Sequence, residues 1–175
     1  GQRTMNTFLG ASQSLGRESL DAALIADADI LYLEGYLWNA DASRAAMAEA
    51  ISVARAAGRR VAFTLSDTFV VAGHGEDFRR MMAAREIDIL FANEAELLEL
   101  AQEDDFEAAL TKIAAEVPLL VATRGEHGAV AVAEGVRAEV GAEPIDTVVD
   151  TTGAGDLFAA GFLSGLAQGR AVEDC

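Results

Sequence analysis

Short apolar runs alternate along the chain with longer stretches whose apolar residues recur every three or four positions. The second spacing is that of a helix with one buried stripe. Helices are predicted over 20–28, 42–57, 76–85, 93–100, 106–116 and 153–166. The second of these is Ala-rich, free of Pro and followed by Gly58, a natural helix stop. Asn93 caps the fourth, with acids in its first turn, where the helix dipole favours them. Strands are predicted over 30–33, 60–65, 87–91 and 119–122, the third interrupted only by Asp88. Two further strands, 129–133 and 136–140, flank Glu134-Gly135 and read as a hairpin. A short strand ends at Val148-Val149. Strands alternating with helices make βαβ units and a mostly parallel sheet. Continuous apolar strands fit a sheet covered on both faces.

Length and composition narrow the class. At 175 residues the chain reads as one domain, 1–175, without repeats or a linker. Half the residues are hydrophobic, which excludes intrinsic disorder. The net charge of −16 argues against nucleic-acid partners, whose phosphates need Lys and Arg. Cys175 stands alone, so neither a disulfide framework nor a Cys-based zinc site fits. No apolar run is long enough to span a bilayer and no signal peptide is visible, so the expectation is a cytoplasmic protein. The chain opens without Met and closes on what reads as the first turn of another helix. The expectation is a portion of a longer protein.

The chemistry concentrates in Val148-Val149-Asp150-Thr151-Thr152-Gly153-Ala154-Gly155-Asp156. A strand running through a Gly-x-Gly turn into a helix makes an anion site. The amides of Gly153, Ala154, Gly155 and Asp156 are free to point outward, with the positive end of the helix dipole behind them. A carboxylate there would repel a phosphate. Asp156 therefore reads as a general base beside a phosphoryl group, the alternative being an ordinary acid in a helix's first turn. Other phosphate motifs are absent: there is no P-loop, and the third Rossmann position is Phe158.

The stretch Asp150–Asp156 resembles the second signature of the ribokinase-like (PfkB) family of sugar and nucleoside kinases. Asn93-Glu94-Ala95-Glu96 is similar to that family's Asn-x-x-Glu segment. Thr123-Arg124-Gly125-Glu126-His127-Gly128 is similar to its nucleotide loop, and the segment from Arg3 to Ser12 to its entry into the central fold. The segments 32–38 and 91–97 look most like bacterial members usually called adenosine kinase.

The resemblance implies a three-layer αβα fold with a mostly parallel sheet, lacking here the family's N-terminal part and lid. It implies ATP-dependent phosphorylation of a hydroxymethyl group, on adenosine or on another sugar such as ribose or fructose. A non-catalytic scaffold fragment is the remaining alternative. Asp156 would be the base, and the backbone of Gly153, Ala154 and Gly155 the phosphate site. Thr123, Arg124, Gly125 and Gly128 would line the nucleotide. Asn93 and Glu96 would position Mg²⁺ through water. Asp150 and Thr152 match positions that bind a monovalent cation such as K⁺ in some members. Small-molecule substrate and ATP would be the partners. With its N-terminal strands missing, the chain is expected to expose a sheet edge and apolar surface, to self-associate and to bind substrate poorly.

Several residues have competing readings. Trp38 with Tyr36 suits either stacking on a base or packing. His74, between two glycines, reads as a loop residue, and His127 as an exposed loop His. Arg3 and Arg124 are either phosphate contacts or surface charges.

Overall fold

A computed structural model describes residues 8–175. Six strands form one sheet in the order β1 to β6: Ile30–Glu34, Arg60–Thr64, Ile89–Asn93, Leu119–Thr123, Ala129–Ala133 and Val136–Val140. The first four are mutually parallel, and β4, β5 and β6 are antiparallel. The helices are α1 (Ala22–Asp27), α2 (Asp41–Ala56), α3 (Thr68–Ala83), α4 (Glu94–Ala101), α5 (Phe106–Ala114) and α6 (Ala154–Ala167).

Strand order equal to chain order has a direct consequence. Right-handed crossovers between successive parallel neighbours put their helices on one face. Accordingly Met47 and Ile51 of α2, Val70 and Phe78 of α3, Leu97 of α4 and Ile113 of α5 share one core. That core takes Val61, Phe63, Leu90, Leu120 and Ala122 from the sheet. The alternate residues Ala62, Ile89, Phe91, Leu119 and Val121 face the opposite way and pack on Ala159 and Phe162 of α6. The strands are apolar throughout because period-2 alternation serves two cores. The result is the expected three-layer αβα architecture. Asp88, the polar interruption, accepts from Val61 N–H at 2.7 Å and from Arg55 at 2.8 Å, tying β2, α2 and the start of β3 together.

Two expectations fail locally. Helix α3 begins at Thr68, so Gly73, His74 and Gly75 are helical, and His74 is not in a loop. Asp67 caps this helix through Phe69 N–H at 3.1 Å, and Val70, Val71 and Phe78 bury one stripe. That burial outweighs the roughly 1 kcal/mol that each helical glycine costs. The strand expected to end at Val148-Val149 does not form; residues 142–150 lie outside the sheet, and Val149 is 90% exposed. Strand backbone needs a neighbour for its ladder, and no described strand runs beside this segment. Val136, Val140 and Leu157 are also exposed, in line with the expected apolar surface. Among the described residues no helix is long and apolar enough to cross a membrane.

Candidate active site

Because β1–β4 are parallel, their carboxyl ends emerge together, where open α/β sheets place ligands. A cavity of about 310 Å³ lies there. Its wall draws on the end of every parallel strand: Glu34 ending β1 and Tyr36 after it, Thr64 ending β2 and Ser66 after it, Asn93 ending β3 and Glu96 after it, and Thr123 ending β4. The start of α6 closes it with Gly153, Gly155, Asp156 and Phe158. Residues 60 positions apart in sequence thus face one another.

At the β3–α4 junction, Asn93 Oδ1 accepts from Glu96 N–H at 2.9 Å. Glu96 reaches back to Asn93 N–H at 2.9 Å and to its Nδ2 at 2.7 Å. This is a closed capping box. Glu96 is only 5% exposed. Burial pushes its carboxyl up to about 6, against the lowering effect of the Asn93 backbone bond.

At the start of α6, Gly153 is the cap, at φ 74 and with no side-chain bond. An L side chain would be strained there. Asp150 Oδ1 accepts from Thr152 N–H at 2.9 Å and Thr152 Oγ1 at 2.8 Å, building the turn. Ala154 N–H donates to Thr151 O at 3.2 Å, and the next backbone bond is Leu157 N–H to Gly153 O at 2.9 Å. The Ala154 amide is therefore occupied, contrary to the expectation of four outward amides. Those of Gly155 and Asp156 lie between the two bonds and are the helix donors left for an anion.

One acid missed by the sequence reading of the site, Glu34, completes it. Burial, and then the Asp156 charge, raise the Glu34 carboxyl above its ordinary range. Tyr32 is pushed up to about 12, first by burial and next by Glu34. Glu34 ends an otherwise apolar strand and precedes Gly35, so the rule that ligands gather at strand carboxyl ends could have flagged it. Ser66 sits in the left-handed region at φ 71, uncommon outside glycine, with its Oγ accepting Tyr36 N–H at 3.3 Å.

The other expected site residues divide. Thr123 lines the cavity; Arg124, Gly125 and Gly128 do not. Arg124 stacks 3.9 Å over the Phe106 ring and pairs with Glu94 at 3.5 Å. Gly128, at φ 88, leaves no room for a Cβ against Val140 O, so its place is a tight turn into β5. His127 is exposed, and Trp38 is a core residue packed on Phe63 and Phe78. Arg3 lies outside the described residues.

The donor set suits the implied magnesium. Glu34, Glu96 and Asp156 put three acids on one cavity, an excess of negative charge that a cation would offset. Among the described residues no three His, Cys, Asp or Glu side chains cluster tightly enough for a protein-only metal cage. That fits magnesium held largely by water and phosphate. Asp150 and Thr152 are exposed and bonded to each other across the turn.

Residues 1–175 match the pfkB family carbohydrate kinase profile, and the chain belongs to that family. A cytidine kinase of Thermococcus kodakarensis is 38% identical over 128 residues, 69% of this chain and 44% of that protein. A probable sugar kinase from Rhizobium etli superposes with TM-score 0.91 at 45% identity, over 93% of this chain and 49% of that one. The adenosine kinase of Sinorhizobium meliloti gives TM-score 0.91 at 42% identity, over 93% of this chain and 50% of that one. The chain therefore spans about half the length of the relatives it matches.

Proposed function

We propose that this chain carries the phosphoryl-transfer half of an ATP-dependent nucleoside kinase, with adenosine as the first candidate acceptor. The observation that carries the reading is Asp156 on the cavity wall beside the uncapped amides of α6. A carboxylate next to an anion site repels the anion, a cost that general-base work on a neighbouring hydroxyl explains. In this reading Asp156 takes the proton of the acceptor's hydroxymethyl group. The freed oxygen bonds the γ-phosphorus, and the bond to the β-phosphate oxygen breaks. The amides of Gly155 and Asp156 stabilise the charge that develops on the transferring group.

Thr123 faces the nucleotide from β4, and the turn through Gly125 and Gly128 shapes the approach to it. Arg124 serves that turn by bracing it on Phe106 and Glu94. Bound on the phosphates, Mg²⁺ would supply neutralising charge. Asn93 and Glu96 would hold its water, the Glu96 carboxylate keeping lone pairs beyond those engaged by Asn93. Adenosine leads because of the 42% identity to an adenosine kinase over 93% of this chain.

The test is a coupled kinase assay on the complete protein with adenosine, cytidine, ribose and fructose, beside Asp156→Asn. Adenosine turnover that falls on the order of 100-fold or more in the variant supports both reaction and base. Turnover indifferent to Asp156 would sink the mechanism, and preference for a free sugar would sink the acceptor assignment.

A further inference from the structure

Tyr36 stands on the cavity wall, but part of what holds it there lies outside the cavity. It belongs to the 3₁₀ turn Gly35–Asn39, which carries the chain from β1 to α2. Tyr36 O accepts from Asn39 Nδ2 at 3.3 Å. That bond fixes which way the Asn39 amide faces, because only its nitrogen can donate to a carbonyl. Its Oδ1 is left for α3, where it meets His74 Nε2 at 3.0 Å. A carbonyl oxygen only accepts, so Nε2 carries the proton and Nδ1 is bare in the neutral ring. Nδ1 lies 3.9 Å from Asp77 Oδ2. That oxygen also accepts from Trp38 Nε1–H at 3.0 Å.

We propose that Asn39 and His74 are positioning residues for the β1 wall of the cavity, the acceptor side in a reading that gives the β4 end to the nucleotide: the relay His74–Asn39–Tyr36 clamps the turn to α3 and sets where Tyr36 stands. The inference rests on the reading of the cavity as the substrate site. Neither residue lines the cavity, so each acts through Tyr36.

The surroundings make the clamp sensitive to pH. His74 faces Asp77 on its own helix, and Asp77 is also paired with Arg80. From α2 it faces Arg44, which pairs with Asp41 at 3.5 Å. The 3₁₀ turn presents the neutral Asn39 and Trp38. Burial, and next Arg44, hold the imidazole below its ordinary range, so the neutral clamp is the form present at neutral pH. Protonation adds an N–H opposite Asp77. Closing the 3.9 Å gap to that carboxylate into a charge-assisted bond draws the ring away from Asn39, although Nε2 keeps its proton. The clamp loosens as pH falls through the imidazole range.

The test uses the complete protein with adenosine as the varied acceptor. Asn39→Ala and His74→Ala should each raise KM for adenosine about 3- to 10-fold, the scale of one neutral hydrogen bond, with kcat within about 2-fold. The double variant should be no worse than the worse single, because both act through one relay. Lowering the pH should raise the native KM, and His74→Gln should flatten that dependence. Trp38 is the only tryptophan among these 175 residues and shares Asp77 with His74, so its emission, isolated in the complete protein by difference against Trp38→Phe, reports the clamp without any ligand. It should titrate in the native protein and not in His74→Gln. A flat native emission profile, or variants that lose melting temperature without moving KM, would overturn the proposal. A native protein with no turnover would break the kinase reading instead, and the Trp38 titration would then decide the clamp.

Discussion

Two helices begin at the same cavity, and their starts are built in opposite ways. Helix α4 is sealed by side chains: Asn93 and Glu96 satisfy each other's donors, and Glu96 is buried in doing so. Helix α6 begins on a glycine with no side chain to offer, and the amides of Gly155 and Asp156 stay open. A capped start stabilises the fold and has little left for a phosphate. An uncapped start gives up that stabilisation and keeps its donors and its dipole for an anion. The difference separates the two halves of the proposed site. Structural order comes from β3–α4, and the phosphoryl-transfer chemistry is assigned to α6.

The comparison can be broken from either side. The largest expected effect is on α6: Asp156→Asn should lower kcat by 100-fold or more in the coupled assay. Its melting temperature should barely move, because Asp156 is exposed. The mirror image is Asn93→Ala, which should cost about 1–3 kcal/mol in denaturant unfolding. It removes the cap on Glu96 N–H and strips the buried Glu96 carboxylate of one of its two donors, the Asn93 Nδ2; the backbone N–H of residue 93 remains. If Asn93→Ala were neutral for stability, the capping box would not be the structural partner of the pair.

Two glycine variants sharpen the contrast within α6. Gly153→Ala should cost about 1–2 kcal/mol, from positive φ alone, since a Cβ there would meet nothing nearer than 3.9 Å. Gly155→Ala has open space and a helical backbone, so it should leave stability unchanged or raise it by up to about 1 kcal/mol. It should nevertheless weaken ATP binding, measured calorimetrically, because the methyl group sits beside the open amides. Loss of stability with intact nucleotide binding would reverse the assignment.

The smallest effect is a pH trend from the α4 side. Glu96 titrates near 6 in the fold against an ordinary 4.5, so the folded state binds its proton more tightly than the unfolded chain. Its contribution is fully present below pH 4.5 and is lost as pH rises through about 6, roughly 2 kcal/mol in all. Burial of His74 acts in the opposite direction, its contribution falling away as the ring protonates on acidification. Comparing urea midpoints of the native protein and Glu96→Gln from pH 5 to 8, without nucleotide or magnesium, should show the variant losing the Glu96 component of the slope. Identical slopes would mean that Glu96 carries no raised proton affinity.

Periodicity alone located the six strands and most helices, because each buries a stripe whose repeat is written locally. The Gly-x-Gly turn and the Asn93–Glu96 pair were legible for the same reason: each is a contact between residues within a few positions. Three features were not. Helix α3 starts eight residues early because Val70, Val71 and Phe78 find a core that local propensity cannot see. Val148-Val149 has strand composition but no neighbour to complete a ladder. Trp38 and Tyr36, two residues apart, part company: one is buried against Phe63 and Phe78, and the other lines the cavity.

The sequence by itself determined most of the elements, the α/β class and the glycine start of α6, since backbone conformation and helix capping are settled by neighbours along the chain. Only the tertiary structure decided which acids share a cavity, which arginine turns away to Phe106, and that His74 reaches Asn39 across 35 positions. Those outcomes depend on parallel strands ending side by side, and no local pattern records which distant residues will meet there.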